Sequence, residues 1–189
     1  MHSGWGVLLG VAGDANELEV IDRRRVVVTD RAVPGGNQPY HHAASLGSQE
    51  SERYLANYAA VSERLAFAAI EEVIRDLDRR DYRTVGSAVL LASGRPLPSL
   101  AKILASHPLI HTAEGDLFRN VISQACEQLK IPVTAIPERE LDERARTAFG
   151  KAASRVQRMI ASLGSSIGPP WTKDHKSAAL AAAMILTRV

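Results

Sequence analysis

Aromatic side chains are scarce, with Trp, Tyr and Phe together at 5% of the 189 residues, so the core must be packed from aliphatic groups. A single cysteine, Cys126, excludes an internal disulfide, and its place in an amphipathic helical pattern predicts a buried structural thiol rather than a nucleophile. Charge of one sign is not in surplus either. The 23 basic and 21 acidic side chains leave a formal net charge of +2, so no broad cationic field exists to capture a phosphate backbone without specific geometry. No uninterrupted apolar run reaches membrane-spanning length, the alanine-rich stretch 177–186 included, and no basic-then-apolar leader pattern opens the sequence. The expectation is a cytoplasmic protein with no membrane association. What is present, 46% hydrophobic and 23% charged residues, is ordinary for a globular chain, and the length suits one continuous core, predicting a single domain over 1–189.

Residues 4–11 are mostly apolar and stop at the turn cluster Gly13, Asp14, Ala15, Asn16, which predicts a first strand and a hairpin turn. Residues 17–21 alternate charged with apolar, 22–24 read as a second polar turn, and 25–29 are β-branched, so three short strands in a meander are expected. After the loop 34–42, apolar residues from Leu55 to Leu77 recur at helical spacing, predicting a long helix over 52–80. Val85 to Ala92 carries no charge and reads as a strand covered on both faces, broken by 93–96. A short helix over 97–106 is expected next, then a major helix with Thr112 as N-cap and Leu117, Phe118, Val121, Ile122, Ala125 and Leu129 as its buried stripe. Residues 131–136 read as a fifth strand. Pro137 opens a charged helix over 138–163 ended by Gly164, and Thr172 caps a terminal helix.

Three meandering strands, then helix, strand, helix, strand and further helices is an order that resembles the ribonuclease H-like superfamily, whose nucleases, resolvases and transposases share one plan. The resemblance spans the chain and implies a three-layer α/β domain, with a five-stranded mixed sheet of three antiparallel strands followed by parallel ones, and helices on both faces. The stretches 111–119, 131–141 and 168–176 also look like those of bacterial proteins to which no activity is attached, which implies a shared fold and nothing more.

The superfamily resemblance implies a two-metal nuclease with carboxylates on the first strand, near the end of the fourth and on the last helix, where Mg²⁺ or Mn²⁺ activates water. This sequence departs from it. Its first strand has no acid before Asp14, and its fourth ends Leu91, Ala92, Ser93. No glycine-rich loop ending in lysine and a hydroxyl residue is present to hold a nucleotide phosphate.

Three polar groups remain. His111, Glu114 and Asp116, with Arg119 beyond them, open the predicted second major helix; acids there stabilise a first turn in any helix, while the functional alternative makes Glu114 and Asp116 metal ligands, with Glu114 and His111 in proton transfer. Asp174, His175 and Lys176 open the last helix, and Asp174 is the positional match to the superfamily's final carboxylate, though an acid there also complements the helix N-terminus. The loop Tyr40, His41, His42 offers imidazoles near neutral pKa, with His41 as candidate proton carrier; adjacent histidines diverge, and no Cys or third His is read at zinc-ligand spacing. Arg139, Arg144, Arg146, Lys151, Arg155 and Arg158 give the charged helix a basic second half, which admits a nucleic-acid edge without aromatic stacking.

Two functions follow as expectations. The missing strand acids favour a non-catalytic or weakly active domain that binds nucleic acid or a protein partner, another copy of itself included. The alternative is a divergent metal-dependent phosphodiesterase in which these groups converge, with a divalent cofactor required only in that case.

Overall fold

A computed structural model describes residues 2–92 and 96–187, and places a split β layer between helices. Strands β1 (Trp5–Gly13) and β2 (Leu18–Val27) form one antiparallel pair with a bulge at Gly10/Val11. Strands β3 (Ser87–Leu91) and β4 (Val133–Pro137) form a separate parallel pair. The expected five-stranded mixed sheet is therefore incorrect, since the described residues make two two-stranded sheets instead.

The meander fails first, because residues 22–24 do not turn but continue β2. Three polar residues in a row read as a turn only if water must solvate them, and here the protein does so. The Arg24 guanidinium bridges Asp22 and Asp76, and Arg23 donates to the carbonyl oxygens of Gly168 and Pro170. The strand expected at 85–92 is shorter, and within it only Val89 is fully buried; the break expected at 93–96 falls largely on residues outside those described.

Helix α1 (Pro39–Ala43) is followed by α2 (Ser48–Asp78), whose stripe Tyr58, Ala66, Ile70, Val73 and Leu77 is buried as its 3.6-residue spacing requires. Helix α3 is short (Leu100–Leu104). Helix α4 (His107–Gln128) begins more than a turn before the expected cap. Pro108 sits in its first turn, where a missing N–H costs nothing, and Thr112 lies inside the helix with its hydroxyl donating to the Pro108 carbonyl at 2.9 Å.

The charged helix expected over 138–163 is likewise divided. A 3-10 turn at Glu138–Glu140 leads into α5 (Leu141–Phe149), and Gly150, at φ +53°, breaks the chain before α6 (Ala153–Ile167). Gly164 does not end α6. It is small because Trp171 lies on it: a Cβ there would come within 2.6 Å of the indole, whose Nε1 donates to the Ile160 carbonyl. The basic residues are thus divided, Arg144 and Arg146 on α5, Arg155 and Arg158 on α6, and Arg139 and Lys151 in the 3-10 turns before them; Arg144 is paired with Glu140 while Arg155 donates to Asn16 Oδ1.

Adjacent residues of β1 show where the layers lie. Leu8 packs with α2 and α4 through Tyr58, Ile70, Phe118 and Val121, whereas Leu9 packs with the core of Ile136, Leu141, Val156, Ile160 and Leu180 contributed by β4 and α5 to α7 (Lys173–Leu186). Neighbouring side chains of a strand point to opposite faces, so helices cover both. No helix among the described residues is long and apolar enough to cross a membrane.

The terminal helix begins where the sequence places it. The Thr172 amide donates to His175 Nδ1 at 3.3 Å and the Thr172 hydroxyl lies 2.8 Å from the same nitrogen, in a reciprocal cap. Thr172→Ala is expected to cost about 1 kcal/mol in a urea melt. The cap needs His175 neutral, and burial first, then Arg23, hold its pKa below the usual histidine value. This contribution is complete above the unfolded value of about 6.5 and is lost as pH falls through the lower folded value. Thr172→Ala should accordingly lose less stability on acidification than the wild type.

Candidate metal centre

Three imidazoles meet where α1 crosses the start of α4. Because α4 begins at His107, residues 107 and 111 stand one turn apart on the same face, and their rings are 4.4 Å apart at their centroids and nearly perpendicular. Pro39 starts α1 and sets the next residues in helical conformation, bringing the His41 ring 4.8 Å from that of His111 and 5.2 Å from that of His107. One ring nitrogen from each of His41, His107 and His111 lies within 4.8 Å of the others, the one such grouping of metal-ligating side chains among the described residues.

Glu114 lies beneath this cluster, 4% exposed. Its Oε1 accepts from the His41 backbone amide at 3.3 Å and lies 3.0 Å from His41 Nδ1, while Oε2 is 3.9 Å from His111 Nδ1. An ionised carboxylate accepts but cannot donate, so a neutral His41 bonded to it through Nδ1 would keep its proton there and offer Nε2 as the ligand atom. A carboxylate behind an imidazole is the arrangement that fixes a metal-ligating histidine in the correct tautomer and makes it more basic. No lysine or arginine pairs with Glu114 among the described residues. A buried carboxylate without a cation is costly, and an ion held by the imidazoles would supply the missing positive charge.

Around the cluster, Tyr40 is half-buried, and burial, then Asp116 and Glu114, raise its phenol pKa. Burial likewise raises the Asp116 carboxyl against the opposing pull of Arg119. The Arg119 guanidinium is itself buried and lowered by desolvation, with Nε donating to the Leu90 carbonyl at 2.9 Å at the end of β3. His107 and His111 are exposed, so the cluster has an open side.

The residues singled out from the sequence separate accordingly. His41, His111 and Glu114 come together. His42 does not join them; its ring packs on Tyr54 at 4.7 Å. Asp116 acts electrostatically on Tyr40 and Arg119 and belongs to no group of three ligating side chains among the described residues, and Arg119 is committed to β3. Asp174 is exposed and bound to His2 Nε2 at 2.7 Å, on a helix that packs against β1, β3, α5 and α6, and it shares no ligand cluster with Glu114. Lys176 is exposed. Glu114 and Asp116 also lie beyond the first turn of α4, so stabilising a helix start is not their role. The residue missed is His107, although His-x3-His was present as a signal. Placing the helix start at Thr112 excluded it from the helix, and with it the shared face.

No protein-family model and no curated protein matches this chain.

Proposed function

We propose that the chain is a metal-dependent hydrolase holding one zinc-type divalent ion on His41, His107 and His111, with Glu114 orienting His41 and balancing the ion's charge. The single observation that carries this reading is the meeting of one ring nitrogen from each of His41, His107 and His111 within 4.8 Å, with Glu114 Oε1 3.0 Å from His41 Nδ1 behind them. The donor set favours zinc and its neighbours over the Mg²⁺ or Mn²⁺ of the sequence expectation, since imidazole suits the former and oxygen ligands the latter. Three protein ligands with an open side leave a fourth position for water. An ion held by His41, His107 and His111 would supply Lewis acidity that makes a water at that open side acidic enough to act as a nucleophile near neutral pH. Phosphodiesters are the substrate class that the ribonuclease H-like resemblance implies.

The experiment has two steps. Zinc titrated into metal-free protein should bind with 1:1 stoichiometry, and the loaded protein should hydrolyse bis(p-nitrophenyl) phosphate above a His107→Ala control. Tight binding without turnover would support the non-catalytic reading, with the ion organising a surface for a partner. Absence of binding would end the hydrolase reading and the metal centre with it. Glu114→Gln, which keeps the shape and removes the charge, should weaken zinc by about 10- to 100-fold in a chelator competition, as loss of an outer partner of a ligating histidine does.

A further inference from the structure

A cavity separates the two sheets. Strand β1 is paired only with β2 and strand β3 only with β4, so the other edge of each has no strand partner among the described residues. Residues 6–13 of β1, 87–89 of β3 and the segment 84–86 that leads into β3 line one cavity of about 320 Å³. Ile70 and Val73 of α2 close it on one face, and Ala182 and Ile185 of α7 on the other. The Thr84 hydroxyl is buried there without a hydrogen-bond partner. Arg83 is the one charged side chain in the wall.

These features select a ligand by chemistry. Strand edges present rows of N–H and C=O groups that must be satisfied when water is displaced. An alkyl chain would fit the aliphatic faces but leave those rows unpaired. A nucleotide would bring more negative charge than one guanidinium answers. An extended peptide satisfies both edges at once and sends alternate side chains to the two aliphatic faces. We propose that this slot binds a short aliphatic peptide with a free carboxylate, its backbone between β1 and β3 and its carboxylate at Arg83.

Cys126 also lines the cavity, so its alkylation by a small thiol reagent reports occupancy. N-acetyl-Val-Ala-Val should slow that alkylation at least tenfold at saturation, and its C-terminal amide should need at least tenfold more peptide for the same protection. Arg83→Gln should abolish the difference between acid and amide. Ala182→Phe, which fills the slot from α7, should abolish protection by either peptide. If that variant fails to fold, Ala178→Leu blocks the same wall with a smaller side chain. His107→Ala should leave all of this unchanged, which separates the slot from the metal centre. Protection by octanoate equal to that by the peptide, or peptide protection that survives a blocked slot, would overturn the proposal.

Discussion

Zinc at a hundredfold excess over its dissociation constant is expected to raise the melting temperature of the wild-type protein and to leave that of a His107→Ala/His111→Ala variant unchanged. The size follows from linkage. A ligand bound only by the native state at that excess stabilises by about 2.7 kcal/mol, and for a chain of this length each kcal/mol is worth about 2–4 °C, so the shift should be about 5–10 °C. Both residues are exposed on the first turns of α4, so their truncation opens no core cavity and the metal-free variant should melt close to the metal-free wild type. His41→Ala should behave differently, because it also leaves the Glu114 carboxylate buried without its nearest partner, and should lower the metal-free melting temperature as well. Magnesium at equal concentration should produce no shift in any of these proteins. An equal zinc response in the double variant would remove the imidazoles from the site, and a flat wild-type response would remove the site itself.

That centre was half legible in the sequence, and the missing half has a physical cause. His41, His111 and Glu114 were each marked by residue chemistry, but nothing local says that residue 41 approaches residue 114, a separation of 73 residues closed by the packing of α1 on α4. His107 was lost to a contest between two helix-start signals. Thr112 ahead of Glu114 resembles a cap, yet Pro108 one residue after His107 is the stronger device, because its fixed φ and absent N–H fit a first helical turn.

The same contrast runs through the fold. Helix α2 and the Thr172 cap were readable because periodicity and capping are local. The sheet was not, because strand pairing is decided between distant segments. The polar triplet 22–24 looks like a turn until Asp76 and the end of α6 supply its partners, and the apolar run of β3 looks central until its free edge is found facing a cavity.

The second large effect is expected from Phe118→Ala, which should destabilise the protein by about 3–5 kcal/mol, a large share of the 5–15 kcal/mol typical of a folded domain. Phe118 is 0% exposed and lies in the core that α4 shares with α2, its ring 6.5 Å from that of Tyr58, with Val26, Val28 and Val121 in the same cluster. The nearest ring, Tyr58, is tied through its hydroxyl to the Gly36 carbonyl, and the aliphatic neighbours are fixed to the helix and strand that carry them. The cavity should therefore persist, placing the cost at the upper part of the range, about 4–5 kcal/mol, and the fall in melting temperature at about 8–20 °C. The same helix carries the ligands His107 and His111, and Phe118 stands two turns beyond His111, about 10 Å along the axis, where effects are close to additive; Glu114, which is no ligand but supports His41, is one turn away and is the route by which any coupling would run. The zinc-induced shift of Phe118→Ala should consequently equal that of the wild type, measured from a lower baseline. If the variant instead melts lower and also loses its response to zinc, then the start of α4 is held in register by the α2 core, and the metal centre depends on the packing beneath it as much as on its own ligands.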